Sequence, residues 1–130
     1  ACVSMIVLGL LMVLFNQHPL FVSINEPIHK VFWPNIEITD DVSNFQRWVY
    51  GTWGAAITAM GIFAIFVTQR GFSRKEKWAR NCLVTGILAW YALDTAVSLF
   101  SGVVDNAIFN TICLVGFSLP LLCTWRYFEN

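Results

Sequence analysis

Residues 48–68 read WVYGTWGAAITAMGIFAIFVT, a stretch of twenty-one residues without a charge. A helix needs about 20 mostly apolar residues to cross a hydrocarbon core of roughly 30 Å. Residues 81–100 (NCLVTGILAWYALDTAVSLF) and 106–125 (NAIFNTICLVGFSLPLLCTW) have similar length and character, with Asp94 as their one charge. These stretches predict membrane-spanning helices, because the strands of a membrane barrel would alternate apolar and polar residues over about ten positions.

Residues 1–15, ACVSMIVLGLLMVLF, form a fourth uncharged apolar stretch, which covers only about 22 Å as a helix. A signal-peptide core, which needs about 7–15 apolar residues, is the rival interpretation. The stretch runs into Asn16-Gln17-His18-Pro19 and not into a small-residue cleavage site. We therefore expect a transmembrane helix clipped at its N-terminus. The chain is then one all-α domain over 1–130, a polytopic four-transmembrane-helix bundle with spans at about 1–15, 48–68, 81–100 and 106–125.

The composition excludes several classes of protein. Hydrophobic residues make up 57% of the 130 residues and charged residues 12%, and eight basic residues balance eight acidic ones. So apolar a chain does not stay disordered, and it lacks the basic excess that neutralises the phosphates of nucleic acid. The expected partner is the lipid bilayer and not nucleic acid.

Motifs of catalysis and cofactor binding are missing from the sequence. None of the four cysteines forms a C-x-x-C pair, which argues against a thiol oxidoreductase. No phosphate-binding, dinucleotide-binding, zinc-protease or nucleophile-elbow motif occurs, and the spans contain no histidine for haem. A metal site would have to use residues between the first two spans: His18, His29, Glu26, Asp40 or Asp41. We expect no cofactor, no metal and no catalytic residue.

Lysine and arginine are distributed unevenly between the two sides of the predicted bundle. The loop 69–80 and the segment after the fourth span carry six basic residues against two acidic ones: Arg70, Arg74, Lys75, Lys77, Arg80 and Arg126 against Glu76 and Glu129. The other side carries Lys30 and Arg47 against five acidic residues. Because positively charged loops stay in the cytoplasm, we expect loop 69–80 and the C-terminus inside a bacterial inner membrane and loop 16–47 outside.

The first half of the 16–47 loop has a helical pattern of apolar residues. Leu20, Phe21, Ile24, Ile28, Val31 and Phe32 recur at helical spacing. Asn25-Glu26-Pro27 resembles a helix start, with a capping residue and a proline in the first turn. This predicts a short amphipathic segment that begins near Asn25, ends at Trp33-Pro34 and lies on the outer membrane surface or covers the bundle.

Small residues lie close to one face of the second span: Gly51, Gly54, Ala55, Thr58 and Gly61. In lipid, such faces allow two helix backbones to approach each other. We therefore expect another helix to pack against this face.

Asp94 is the residue that points most directly to a site, because a carboxyl within a membrane span is costly and marks a functional candidate. Trp90 and Tyr91 lie one turn before it and Ser98 one turn after it. Counting residues along two antiparallel spans places Asn110 at the same depth as Asp94. One interpretation is a structural polar clamp between the helices. The other is a ligand-binding or proton-handling pocket that opens to the outer side.

Three stretches carry a resemblance to a known family: FQRWVYGTWGAAITAMGI (45–62), KWARNCLVTGILAWYALDTAVS (77–98) and NAIFN at the start of the fourth span. They resemble a family of small uncharacterised bacterial four-helix integral membrane proteins, which implies the four-span fold and no established activity. The layout is also similar to the sterol isomerase and sigma-2-like group, whose paired intramembrane acids this sequence lacks.

Two functions follow from these observations. The first is a non-catalytic accessory or structural subunit of a membrane complex, with other membrane subunits or a second copy as partner. The second is a binder or converter of a small lipophilic ligand, held by Asp94, Trp90, Tyr91, Ser98 and Asn110. An oligomeric transporter is a weaker third.

Overall fold

The computed structural model describes residues 2–128; Ala1, Glu129 and Asn130 lie outside it. Within that range the chain forms helices and no strand, which confirms the all-α prediction. Five α-helices follow one another: α1 (Cys2–Phe15), α2 (Pro19–Phe32), α3 (Asp40–Arg70), α4 (Lys77–Phe100) and α5 (Val104–Thr124). Two short 3-10 helices, Phe72–Arg74 and Trp125–Phe128, follow α3 and α5.

Three of these helices are long and apolar enough to cross a membrane. Helices α3, α4 and α5 have 31, 24 and 21 residues, or about 46, 36 and 32 Å of helix. They contain the predicted spans 48–68 and 81–100 and all but the last residue of the span 106–125. Helix α1 is apolar but has only 14 residues, about 21 Å. Within residues 2–128 three helices are therefore long enough to span, where the sequence predicted four spans, the first of them short.

Helices α3 and α4 extend beyond the predicted apolar spans into the segments that connect them. Helix α3 begins at Asp40 and not at 48, with Asp40 and Asp41 in its first turn, where the helix dipole favours negative charge. Thr39 caps it, because its Oγ1 lies 3.4 Å from the Val42 amide nitrogen. Helix α4 likewise begins at Lys77 and not at 81. Hydropathy marks the apolar part of a helix and not its ends.

Helix α2 is present, but its predicted start near Asn25 is wrong. It begins at Pro19, and Pro27 lies inside it. Pro19 has the position that proline favours, the first helical residue, where the missing N–H has no intrahelical partner to lose. Pro27 removes one backbone hydrogen bond from the middle of the helix. The side chain of Leu20 lies outside the described part, whereas Ile24 and Phe32 are exposed.

The structure divides into two compact units. In the first, residues 2–62, helices α1 and α3 approach through glycine. An added Cβ at Gly54 would lie 2.6 Å from the Gly9 carbonyl oxygen and 2.8 Å from Met12 Cβ, and one at Gly61 would lie 2.7 Å from Ile6 Cγ1. The expected small-residue contact is therefore confirmed at Gly54 and Gly61, and α1 is the helix that packs there.

The second unit, residues 63–128, contains the hairpin of α4 and α5. Its turn, 101–103, has the hydrogen bonds of a Schellman motif: the Val103 amide donates to Ser98 O at 2.8 Å and the Gly102 amide to Leu99 O at 3.1 Å. Gly102 has φ 78°, a conformation that side chains disfavour. This turn returns α5 antiparallel to α4.

Candidate functional site

The predicted site residues lie on the two arms of this hairpin. Asp94 and Ser98 lie on α4 and are half-buried and buried, respectively. The carboxyl oxygen Oδ1 of Asp94 lies 3.0 Å from Asn106 Nδ2 and 3.2 Å from Ser98 Oγ. The partner that α5 supplies to Asp94 is thus Asn106.

The expected pair of Asp94 with Asn110 is wrong. Asn110 donates instead to Thr95 Oγ1 at 3.4 Å, and with 1% exposure it is the most buried large side chain described. Counting residues gave the depth of Asn110 in the membrane but not which residues of α4 face α5. Thr95 lies about 100° around the helix from Asp94, and it is Thr95 that faces Asn110.

The hydrogen bonds around Asp94 form a closed network with Ser98 and Asn106. Ser98 Oγ lies 2.7 Å from the Asp94 carbonyl oxygen, to which it donates its one hydrogen. Asn106 Nδ2 lies 2.7 Å from Ser98 Oγ and 3.0 Å from Asp94 Oδ1. An amide has two N–H groups, so Asn106 supplies both hydrogens and joins the carboxylate to the serine.

Two further contacts join the hairpin at greater distance from its turn. Tyr91 Oη and Thr111 Oγ1 lie 3.3 Å apart. The rings of Trp90 and Phe117 meet edge to face at 6.3 Å. We call the three polar contacts, Asp94–Asn106, Thr95–Asn110 and Tyr91–Thr111, the polar ladder.

The ladder leaves no fully buried side-chain nitrogen or oxygen without a hydrogen-bond partner. Within residues 2–128, no buried side-chain nitrogen or oxygen lacks a hydrogen-bond partner. In the same range no three His, Cys, Asp or Glu side chains lie close enough to hold a metal. The arrangement holds one carboxyl against neutral donors, a geometry that fixes two helices against each other.

Sequence reasoning missed Asn106 and Thr95 because it considered only the depth of the Asn110 side chain in the membrane. The signal that could have found Asn106 is the i, i+4 pair Asn106 and Asn110 in the apolar fourth span, opposite the i, i+4 pair Asp94 and Ser98. Residues four apart share a helix face. Each of the two helices therefore has one polar face in an apolar span, and the two faces are expected to pack against each other.

A surface cleft of about 500 Å³ lies in the first unit, along α2 and the chain after it. Its lining includes Glu26, His29, Lys30 and Trp33, and none of its lining residues lies on α4 or α5. His29 Nε2 is within hydrogen-bond distance of the Gln46 amide. The hydrogen bond and the charge of Lys30, 2.9 Å away, lower the pKa of the exposed Glu26 carboxyl.

No protein-family model matches the chain, and no curated protein or solved structure matches it.

Proposed function

We propose that the protein is a non-catalytic integral membrane protein, a small accessory or structural subunit of a membrane complex. The observation that carries this proposal is the hydrogen bonding of Asp94. Its carboxyl accepts a hydrogen bond from Asn106 of its own hairpin, and Asn106 also donates to Ser98, which supports a structural role for the polar ladder.

The proposed topology has four crossings. Helices α3, α4 and α5 have the length for it, and α1, packed on α3 through Gly9 and Gly54, is the shorter fourth. Residues 1–130 then act as one domain in a bacterial inner membrane, with the basic loop 69–80 and the C-terminus in the cytoplasm. Helix α2 lies at the outer surface.

Exposed apolar side chains support a membrane setting and a partner within it. Leu93 is 71% exposed on α4, Phe100 is 95% exposed at its end and Ile112 is 65% exposed on α5. Surfaces of this kind are covered by lipid chains, by another subunit or by a second copy of this chain.

The test is purification in the native membrane. A tagged full chain extracted with its lipid in polymer discs should have the mass of a complex of fixed stoichiometry with itself or with a defined subunit, measured by native mass spectrometry. A stable monomer without a stoichiometric partner would contradict the proposal.

One observation favours the second function, binding of a lipophilic ligand at Asp94. Asp94, Trp90 and Tyr91 are only half-buried, so the carboxyl lies beside two partly accessible aromatic rings. Asp94→Asn separates the two functions, because an amide oxygen can still accept the hydrogen bond of Asn106, whereas a charged anchor is lost. Thermal stabilisation by a cationic amphiphile that disappears in Asp94→Asn would support the ligand, and equal stabilisation would exclude it.

A further inference from the structure

Six basic residues surround one end of the second unit, where α3 ends, α4 begins and the chain continues from α5. We call them the basic collar: Arg70, Arg74, Lys75, Lys77, Arg80 and Arg126. The 3-10 helices Phe72–Arg74 and Trp125–Phe128 meet there, with the rings of Phe72 and Phe128 4.7 Å apart. The collar is thus formed by two separate stretches of the chain, residues 70–80 and the segment after α5.

The backbone beneath the collar is closely packed. Phe128 is 3% exposed and Ala79 is fully buried. An added Cβ at Gly71 would lie 2.6 Å from Ala79 Cβ, so the turn after α3 lies directly on the start of α4. The amides of Arg74 and Glu76 both donate to Gly71 O, at 3.1 and 3.0 Å. The positions from which the basic side chains extend are therefore fixed.

Two of the cations lie over aromatic rings. The Arg80 guanidinium carbon is 4.3 Å from the centre of the Trp125 ring and 5.7 Å from that of Phe128. Lys75 Nζ is 5.6 Å from the centre of the Tyr127 ring. These distances allow cation–π attraction. Arg80 also donates from Nε and one terminal nitrogen to Asn81 Oδ1, which orients its plane.

The charge of the collar is not neutralised within the described chain. Among residues 2–128 the ion pair at 2.9 Å joins Lys30 and Glu26, on α2, and no collar cation has an acid within ion-pair distance. Glu76, the acid of the loop, accepts a hydrogen bond from the Trp78 indole. The loop 69–80 and the C-terminal segment together have six basic residues and two acidic ones, Glu76 and Glu129, and so a net charge of +4.

From this geometry we propose that the basic collar is a binding site for the phosphate groups of anionic phospholipids in the adjacent leaflet. The inference rests on the proposed membrane insertion. Guanidinium and ammonium groups match phosphate oxygens, and clustered basic residues beside a membrane helix attract anionic lipid. Trp78 and Tyr127, 54% and 59% exposed, supply the aromatic side chains that favour headgroup depth.

The experiment compares lipid selectivity of the full chain in phosphatidylcholine vesicles. The immobilised fraction of spin-labelled phosphatidylglycerol is measured against that of spin-labelled phosphatidylcholine, at 0.15 M and at 1 M salt. We expect the wild type to prefer the anionic lipid, the preference to fall at high salt, and Lys75→Gln/Arg80→Gln to lower the relative association constant by about fivefold or more. Inorganic phosphate at millimolar concentration should leave the preference intact, because the bound phosphate groups belong to lipids of the bilayer surface.

The matched control is Lys30→Gln/Arg47→Gln, which removes two charges outside the collar and should leave the selectivity unchanged. Because Arg80 packs on two rings, Arg74→Gln/Lys77→Gln provides a second collar variant whose side chains are exposed and whose fold should be unaffected. Equal selectivity in the wild type and this variant, displacement by free phosphate, or an equal loss in the control would overturn the inference. Resistance to alkaline carbonate extraction reports insertion separately, so a chain that inserts without selectivity contradicts the collar site alone.

Discussion

Asn106 is the residue on which the polar ladder depends. It supplies both amide hydrogens to the Asp94–Ser98 pair, and no other α5 side chain is hydrogen-bonded to that carboxyl in the described chain. Sequence reasoning identified Asp94 and Ser98 but chose the wrong amide. The depth of a residue follows from its number, whereas the rotation of a helix about its axis follows from how both helices pack.

Asn106→Ala should destabilise the hairpin by about 1–3 kcal/mol, because it leaves a half-buried carboxylate without its amide donor. The free energy of unfolding in mixed micelles measures the effect. Asn44→Ala, at an exposed position on α3, is the control and should change stability by less than about 0.5 kcal/mol. If both variants lose the same stability, the ladder does not hold the helices together.

Glu26 provides a prediction with a pH dependence. Lys30 lowers the pKa of the Glu26 carboxyl, so the pair stabilises the folded chain above the unfolded pKa, and that stabilisation is lost as the pH falls through the folded pKa. The carboxyl-carbon NMR shift of Glu26 should titrate at lower pH in the wild type than in Lys30→Gln. Identical midpoints would show that the ion pair does not form in solution.

At the scale of elements, apolar length predicted α3, α4 and α5, and helical spacing predicted α2. Apolar length did not predict the helix ends, because they depend on local features: a threonine cap before Asp40, a proline at the first residue of α2 and a turn that brings Gly71 against Ala79. Helix α1 illustrates a second limit. Its length does not distinguish a span from a packed apolar helix, so its role depends on its contact with α3.

The α1–α3 contact has a direct test in Gly54→Ala. The new methyl group would lie 2.6 Å from the Gly9 carbonyl oxygen, and a tightly packed interface that must accommodate it loses about 1–3 kcal/mol. Gly86→Ala is the matched control, because nothing lies within 4 Å of a Cβ at that helical glycine. In mixed micelles, the free energy of unfolding should be lower for Gly54→Ala than for Gly86→Ala. Equal stability of the two variants would contradict close packing at Gly54.

At the scale of the whole molecule, the proposed sidedness can be measured on intact cells. Ser43→Cys and Ser73→Cys are introduced into a chain whose own four cysteines are replaced by alanine. A membrane-impermeant maleimide should label position 43 in intact cells and position 73 only after permeabilisation. The reverse pattern would contradict a cytoplasmic basic loop.

The turn between α4 and α5 has a consequence for how the chain enters a membrane. Three residues, 101–103, connect the helices, so in the proposed topology we expect the two helices to enter lipid together. Asp94, which alone would cost about 2.5–3.5 kcal/mol at the centre of a bilayer, would then enter lipid with Asn106 already beside it. In the proposed topology we therefore expect the hairpin, and not the single helix, to be the unit that inserts.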